Sequence, residues 1–406
     1  MTARSISLAD VPALLAGAEF FSTSAAGEGI EFVGVWLEDI LAHTGPVQLV
    51  TVDELDPDAL CVAVGLLGSP VPMSELPPSG DEPEMIARSL AGRLGSPPAA
   101  VMALNAANVN ALLPVAAAAV LGLPLIDCDG MGRVFPLIHQ TTYELAGLPL
   151  TPLATVSTGH DLTLLETSSA RAERIARSLV RAAGGWLLCG IYPGPAGRLR
   201  EAAIHGSMSR LIDVGQVLRA HAPSTMRARE LGDVSPWPAF AAPSATPPQD
   251  PDSDGPPPGP QAAHRLTNAP AERLLRALSE ATGARTVGSG RVVEVGPSVG
   301  QAVYPGNPIN TVVHDQDSGR LIRLEAYTEL LLALTDGALT AAVPDLICLL
   351  DKGTLRMTGP ERLTAGDQVS VLCVPAAPVW RTAAGLALAG PRAFGYSLRH
   401  PCEEGR

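Results

Sequence analysis

Residues 99–136 read AAVMALNAANVNALLPVAAAAVLGLPLIDCDGMGRVFP. Ala99 to Leu104 is a short apolar run closed by turn-forming residues, which predicts a buried strand. Asn110 to Leu121 is an alanine-rich stretch long enough for a helix, and Leu123 to Asp127 predicts a second strand. The segments before this one continue the alternation: helices over Leu8 to Phe20, Ile30 to Ala42 and Met85 to Leu94, with strands over Val47 to Val52 and Leu60 to Gly65. Helices interleaved with strands favour a mainly parallel sheet, because each helix carries the chain back across the sheet face. The expected class is α/β, with an N-terminal, mainly parallel α/β domain over residues 1–165 and functional loops at the carboxyl ends of its strands.

A second domain is expected over residues 166–400. It opens with an arginine-studded amphipathic helix at Ser169 to Ala183, a strand at Trp186 to Tyr192, and helices at Leu199 to Ala203 and Ser207 to Leu218. Residues 236–262 are too rich in proline to make a packed element and read as a flexible loop. From Thr286 to Tyr396, β-branched residues and Gly/Pro turns predict a mixed, β-rich α+β unit, with a helix around Ala271 to Ala281.

Composition narrows the function. The 406 residues include 28 Lys and Arg against 41 Asp and Glu, a net charge of −13, which excludes a general electrostatic grip on nucleic acid or an anionic membrane. Lys352 is the only lysine, so there is no P-loop lysine, and Schiff-base chemistry would rest on Lys352 alone. The longest apolar run, Ala111 to Ile126, is broken by Pro114, Gly122 and Pro124 and is too short to span a bilayer. The first ten residues lack the apolar stretch of a secretory signal, and a cytoplasmic location is expected. The six cysteines are scattered and sit mostly in apolar company, where a buried free thiol is expected.

Chemistry concentrates after the strand Leu123 to Asp127. Asp127 and Asp129 are two apart, so in an extended chain both carboxylates face one side. Gly130 and Gly132 let the backbone turn sharply, and Arg133 follows. Such a set can hold a metal or a polar ligand, or one carboxylate can act as a base tuned by the other. The alternative is structural: a capping aspartate and a salt bridge from Arg133. Ser22 to Gly29 (STSAAGEG) offers small residues and hydroxyls before a helix, where backbone N–H groups can meet an anion. Asn105, Asn108 and Asn110 again follow a strand and open a helix, and one cap explains one of the three. His139, His160 and His205 lie nearest these loops but make no metal-binding spacing. GSG at Gly288 to Gly290 is too short to be a dinucleotide fingerprint.

Taken in order, STSAAGEG, LPLIDCDGMGRVFP, IYPGPAGRLREAAIHGSMS, VPDLICLLD and PAAPVWRTAAGLALAGPRAFGY resemble the S-methyl thiohydantoin desulfurase family over nearly the whole chain. The resemblance implies hydrolysis of a small five-membered heterocycle: water attacks the amidine-like carbon of an S-methyl thiohydantoin, methanethiol leaves, and a hydantoin results. Asp127, Asp129, Gly130, Gly132, Arg133 and Asn110 match the family pattern. Thr23 and Gly27 match within its glycine-rich loop, where Glu28 stands for an aspartate. An acidic Glu-x-Gly-Gly motif is replaced by Asn105, Ala107 and Asn108. The glutamate expected after Phe135-Pro136 is Leu137, with His139 two places on.

The expected site therefore has Asp127, Asp129, Arg133 and Glu28 as catalytic groups, with Thr23, Gly27, Asn105, Asn108, Asn110, Gly130, Gly132, Ser207 and Arg392 around the substrate. A divalent metal such as zinc would sit on Asp127, Asp129, His139 or His205 and lower the pKa of its water. The expected partner is a small heterocyclic substrate, with no nucleic acid and no membrane, in a chain free to form a homo-oligomer. The alternative is a divergent, catalytically altered member that binds a small ligand or serves a biosynthetic pathway on another heterocycle.

Overall fold

The computed structural model describes residues 4–22, 27–222, 260–297 and 308–403, with 27–29 and 260–268 as backbone. The first half runs through strands β1 (Arg4–Ile6), β2 (Val47–Val50), β3 (Leu60–Gly68), β4 (Ala100–Ala103), β5 (Leu125–Ile126), β6 (Cys128–Asp129), β7 (Leu153–Val156), β8 (Leu162–Leu165), β9 (Trp186–Pro195) and β10 (Ile204–His205). Its helices are α1 (Val11–Phe21), α2 (Gly27–Thr44), α3 (Glu82–Leu94), α4 (Leu113–Leu121), α5 (Thr142–Leu145), α6 (Ser169–Ala182), α7 (Ala196–Ala202) and α8 (Ser207–His221).

Eight of these strands form one sheet in the order β1-β2-β5-β4-β3-β9-β7-β8. β2, β5, β4 and β3 pair in parallel. β1 at one end, and β9, β7 and β8 at the other, are antiparallel to their neighbours. The sheet is thus α/β but mixed, with its parallel ladder confined to four strands. β9, from beyond residue 166, fills the place between β3 and β7, so chain beyond the expected first domain completes this sheet.

The helix after β4 starts later than its composition predicts. Asn108–Ala111 forms a 3-10 turn, and α4 begins at Leu113 with Pro114 in its first turn. Every residue of α4 from Leu113 to Ala119 is buried, and small alanines let its neighbours close in on all sides. α1 and α8 cross at backbone contact. A Cβ on Gly17 would lie 2.0 Å from the Leu211 carbonyl oxygen, and one on Gly215 would lie 1.8 Å from that of Ala13. Only glycine fits either position.

The second half continues with α9 (Pro260–Thr282), β11 (Arg285–Pro297), β12 (Ile309–Asp315), β13 (Leu321–Ala326), β14 (Leu330–Thr335), β15 (Ala338–Ala342), β16 (Leu346–Asp351), β17 (Met357–Thr358), β18 (Gln368–Val374) and α10 (Ala383–Ala389). Its eight strands form an antiparallel sheet in the order β15-β14-β13-β12-β11-β18-β16-β17. Alternating residues such as Ile322 and Leu324 on β13, and Val369 and Val371 on β18, are buried in its core. Residues 236–259 of the proline-rich stretch lie outside the described residues, and α9 begins at Pro260. No helix among the described residues is long and apolar enough to cross a membrane.

Candidate functional site

The carboxyl ends of the parallel strands are where this sheet type places ligands. β5 ends at Ile126, and the chain then re-pairs as β6 with β10, matching Ile204 to Asp129 and His205 to Cys128. This two-residue ladder seats the first turn of α8 against the aspartates. Asp127 Oδ1 accepts from the Met208 and Ser209 N–H groups at 2.9 and 3.0 Å, and Oδ2 accepts from the Ser209 hydroxyl at 2.5 Å. Both oxygens satisfy donors in the first turn of a helix, so Asp127 is a cap supplied from another strand.

Asp129 is fully buried. Its Oδ2 accepts from the N–H groups of Ala106, Met131 and Gly132 at 3.0, 3.3 and 2.7 Å, and its Oδ1 accepts from the Ser207 hydroxyl at 2.7 Å. Burial raises the pKa of Asp129 above the usual carboxylate value, with Ser207 and the three N–H donors opposing. The Ser207 hydroxyl also lies 2.7 Å from the Ile204 carbonyl oxygen. One hydrogen cannot serve both acceptors at once: Ser207 donates to the Asp129 carboxylate or, when Asp129 has taken up a further proton and donates to the hydroxyl oxygen, turns its own hydrogen to Ile204.

Two buried polar atoms without a protein partner lie on segments that adjoin this pair. Asn105, next to the Ala106 N–H on Asp129, is 2% exposed, and its Oδ1 has no partner; neither has the buried Ser22 hydroxyl at the end of α1. Ser22 follows Phe21, whose ring lies 5.3 Å from the Arg210 guanidinium. Arg210 also donates to the Thr282 carbonyl at 3.0 Å. Burial lowers its pKa while the Asp129 charge opposes the shift. Asn108 holds φ = 51° and accepts from the Val109 N–H through its own side chain. An unpartnered buried amide, a hydroxyl and a cation thus lie on segments that adjoin the buried acid, and such groups can meet the N–H and C=O groups of a small ligand.

Arg133 is not at this site. It is 1% exposed and donates to the carbonyls of Asp345 at 2.6 Å, Leu330 at 2.9 Å and Val134 at 3.2 Å, with its guanidinium 5.3 Å from the Phe135 ring. Burial pushes its pKa down to about 10. With two nitrogens committed to the Leu330 carbonyl at the start of β14 and the Asp345 carbonyl just ahead of β16, it ties the aspartate loop to the antiparallel sheet. Its hydrogen-bond partners are carbonyl oxygens, not the carboxylates of the alternative salt bridge.

Other expected residues also have local duties. Asn110 Oδ1 accepts from the Leu66 N–H at 2.5 Å, which holds β3 in place. Gly132 has φ = 74°, and a Cβ on Gly130 would lie 2.5 Å from the Tyr143 ring, so both glycines serve the turn. Arg392 is exposed on the 3-10 turn Pro391–Phe394 and bonds to none of the cluster among the described residues. Thr23 lies outside the described residues, as do the side chains at Gly27 and Glu28.

The metal candidates do not assemble. His205 is exposed, with Nε2 2.9 Å from the Arg200 carbonyl oxygen, while His139 Nδ1 is buried with no partner. The aspartate oxygens are filled by N–H and O–H donors, and no three His, Cys, Asp or Glu residues gather as a ligand set among the described residues.

With the geometry laid out, the chain can be compared with known proteins. Residues 9–167 match the S-Me-THD-like N-terminal domain, and residues 167–235 and 260–401 match the S-Me-THD-like C-terminal domain. The chain belongs to the S-Me-THD-like family. A crystal structure of a protein from Chromobacterium violaceum superposes on this S-Me-THD-like chain with a TM-score of 0.69 at 19% identity, covering 97% of this chain and 96% of that one. At that identity the likeness concerns the fold. The comparison with curated proteins gave no match.

Sequence reasoning missed Ser209 and Arg210. Both lie in IHGSMSR, where a glycine followed by serines before a helical pattern marks a helix start. Nothing in the spacing shows that this start meets residues 127–129.

Proposed function

We propose that this chain hydrolyses a small five-membered heterocycle of the S-methyl thiohydantoin or hydantoin type at the carboxyl edge of its parallel strands. The observation that carries this reading is the unpartnered, buried Asn105 amide oxygen, on the residue next to the Ala106 N–H that Asp129 holds. A cyclic amide or amidine presents ring N–H and C=O groups, and its N–H would satisfy Asn105 at little desolvation cost. Asp129 has no surface of its own, so it would take the proton of the attacking water through Ser207. Water adds to the carbon bearing the methylthio group, the C–S bond breaks, and the sulfur leaves as methanethiol after gaining a proton. Arg210 would face negative charge developing on the ring. Family membership supports the substrate class.

The test is release of methanethiol from S-methyl thiohydantoins, read by headspace chromatography, with the hydantoin product read by mass. Ser207→Ala should lower kcat by about 100-fold while moving the melting temperature little. No release from any such substrate, together with no change in melting temperature on adding hydantoins, overturns the proposal. Binding without turnover would instead support the second reading, a ligand-binding member, which the replacement of family acids by Asn105 and Leu137 favours.

A further inference from the structure

The last described turn of the chain assembles a thiol, an imidazole and a carboxylate that the proposed reaction does not use. Cys402 lies on the 3-10 turn Pro401–Glu403 and is half-buried. Its Sγ is 2.9 Å from His400 Nδ1, and its backbone N–H donates to the same nitrogen at 3.2 Å. A ring nitrogen that accepts an N–H carries no hydrogen of its own, so the neutral ring holds its proton on Nε2. That nitrogen has no hydrogen-bond partner in a residue only 2% exposed, and it faces Asp345 Oδ2 at 3.5 Å.

Asp345 is ionised. Burial opposes its charge, but His400, the Ala376 N–H at 2.8 Å and Arg381 at 2.8 Å hold its pKa at about 2. The polarity along the chain of groups is therefore fixed: thiol to Nδ1, then Nε2 to carboxylate. This is the arrangement by which a base, oriented by a third group, activates a nucleophile. Arg381 interacts with both Asp345 and Cys402, and Glu403 is occupied by the His400 backbone N–H at 2.9 Å. β15, packed against this turn, brings no titratable side chain.

We propose that Cys402 is an activated thiol and the modification site of this chain, taking low-molecular-weight disulfides and soft carbon electrophiles. With a disulfide RSSR, the Cys402 proton passes to His400 Nδ1 and the sulfur attacks one sulfur of RSSR. The S–S bond breaks, RS⁻ leaves and is protonated, and Cys402 ends as the mixed disulfide. The other five cysteines are poor competitors. All are buried, and burial pushes the thiols of Cys61 and Cys189 up to about 12 and that of Cys373 up to about 11, with Cys128 and Cys348 higher still.

The experiment is alkylation of the folded chain by iodoacetamide from pH 5 to 9, with the labelled peptide identified by mass and free glutathione as the reference thiol. The expected result is one fast equivalent, at Cys402, at least ten times faster than glutathione at pH 6. His400→Gln should return the pH–rate profile to that of the reference. Cys402→Ser should abolish the fast equivalent and its capture of glutathione disulfide. Should His400→Gln fail to fold, the wild-type profile decides alone. Labelling of Cys402 at the glutathione rate across the range, or fast labelling that survives His400→Gln, overturns the proposal.

Discussion

Asp129 and Arg133 are four residues apart, both buried, and matched in opposite ways. Asp129 is held by donors only, next to segments where Asn105 and Ser22 leave buried polar atoms unpartnered. Arg133 is held by acceptors only, and two of them, the Leu330 and Asp345 carbonyls, lie at the starts of antiparallel strands. One turn, DGMGR, thus sends its acid toward the strand ends and its base into the seam between the two sheets. Trp380 packs on Phe135 in that seam, at 5.1 Å between ring centroids, and donates its indole N–H to the Met131 carbonyl at 2.9 Å. A charged residue in a family motif is therefore not assigned to chemistry by its charge; the identity of its partners decides.

The largest effect is expected of Arg133→Met. The loss strands the Asp345 and Leu330 carbonyls without their buried donor. Destabilisation of about 3–5 kcal/mol is expected, on the scale of removing one partner from a buried charge-assisted network. Chemical denaturation should show it as a lower midpoint. A variant as stable as wild type would remove the tether from the account.

The next effect comes from Glu329, which neighbours Arg133 in the same seam. Burial drives its pKa up to about 7, against the Thr328 hydroxyl and the Arg133 charge, from an ordinary 4.5. A carboxyl with a raised folded-state pKa keeps a proton in the folded chain that it loses in the unfolded one. Stability therefore falls as the pH rises from about 4.5 through 7, by up to about 3 kcal/mol. Glu329→Gln mimics the neutral acid. It should match wild type at pH 4.5 and exceed it at pH 8, as read by melting temperature against pH. Parallel curves for the two proteins would contradict the assignment.

The legibility of the molecule in its sequence follows the range of the interactions. Apolar runs and the alanine-rich stretch before Leu121 are local signals, and they announced α/β order and the β-rich second half. The antiparallel strands flanking the parallel four were not legible, because β9 pairs with β3 across more than a hundred residues and its own sequence is merely apolar. The aspartate turn was visible as a place where chemistry concentrates. Its division of labour was not, since Asp127 meets Ser209, Arg133 meets Leu330, and both contacts join distant segments. Motif resemblance located the family without separating residues that touch a ligand from those that hold the turn.

Asp127 gives the smallest and most discriminating test. It stands two residues from Asp129, faces the same helix, and would be indistinguishable from it by sequence. Its oxygens take the Met208 and Ser209 donors, whereas Asp129 holds Ser207. Asp127→Asn keeps one acceptor oxygen for the cap and loses the charge at the positive end of α8. The expected cost is about 1 kcal/mol of stability, visible as a modest fall in melting temperature that added salt lessens. Because the Asp129–Ser207 pair survives the change, KM should rise more than kcat falls if the heterocycle reading holds, since the cap positions Ser207 without exchanging a proton. A kcat as low as that of Ser207→Ala would make Asp127 the acid that matters and reverse the order of the two aspartates.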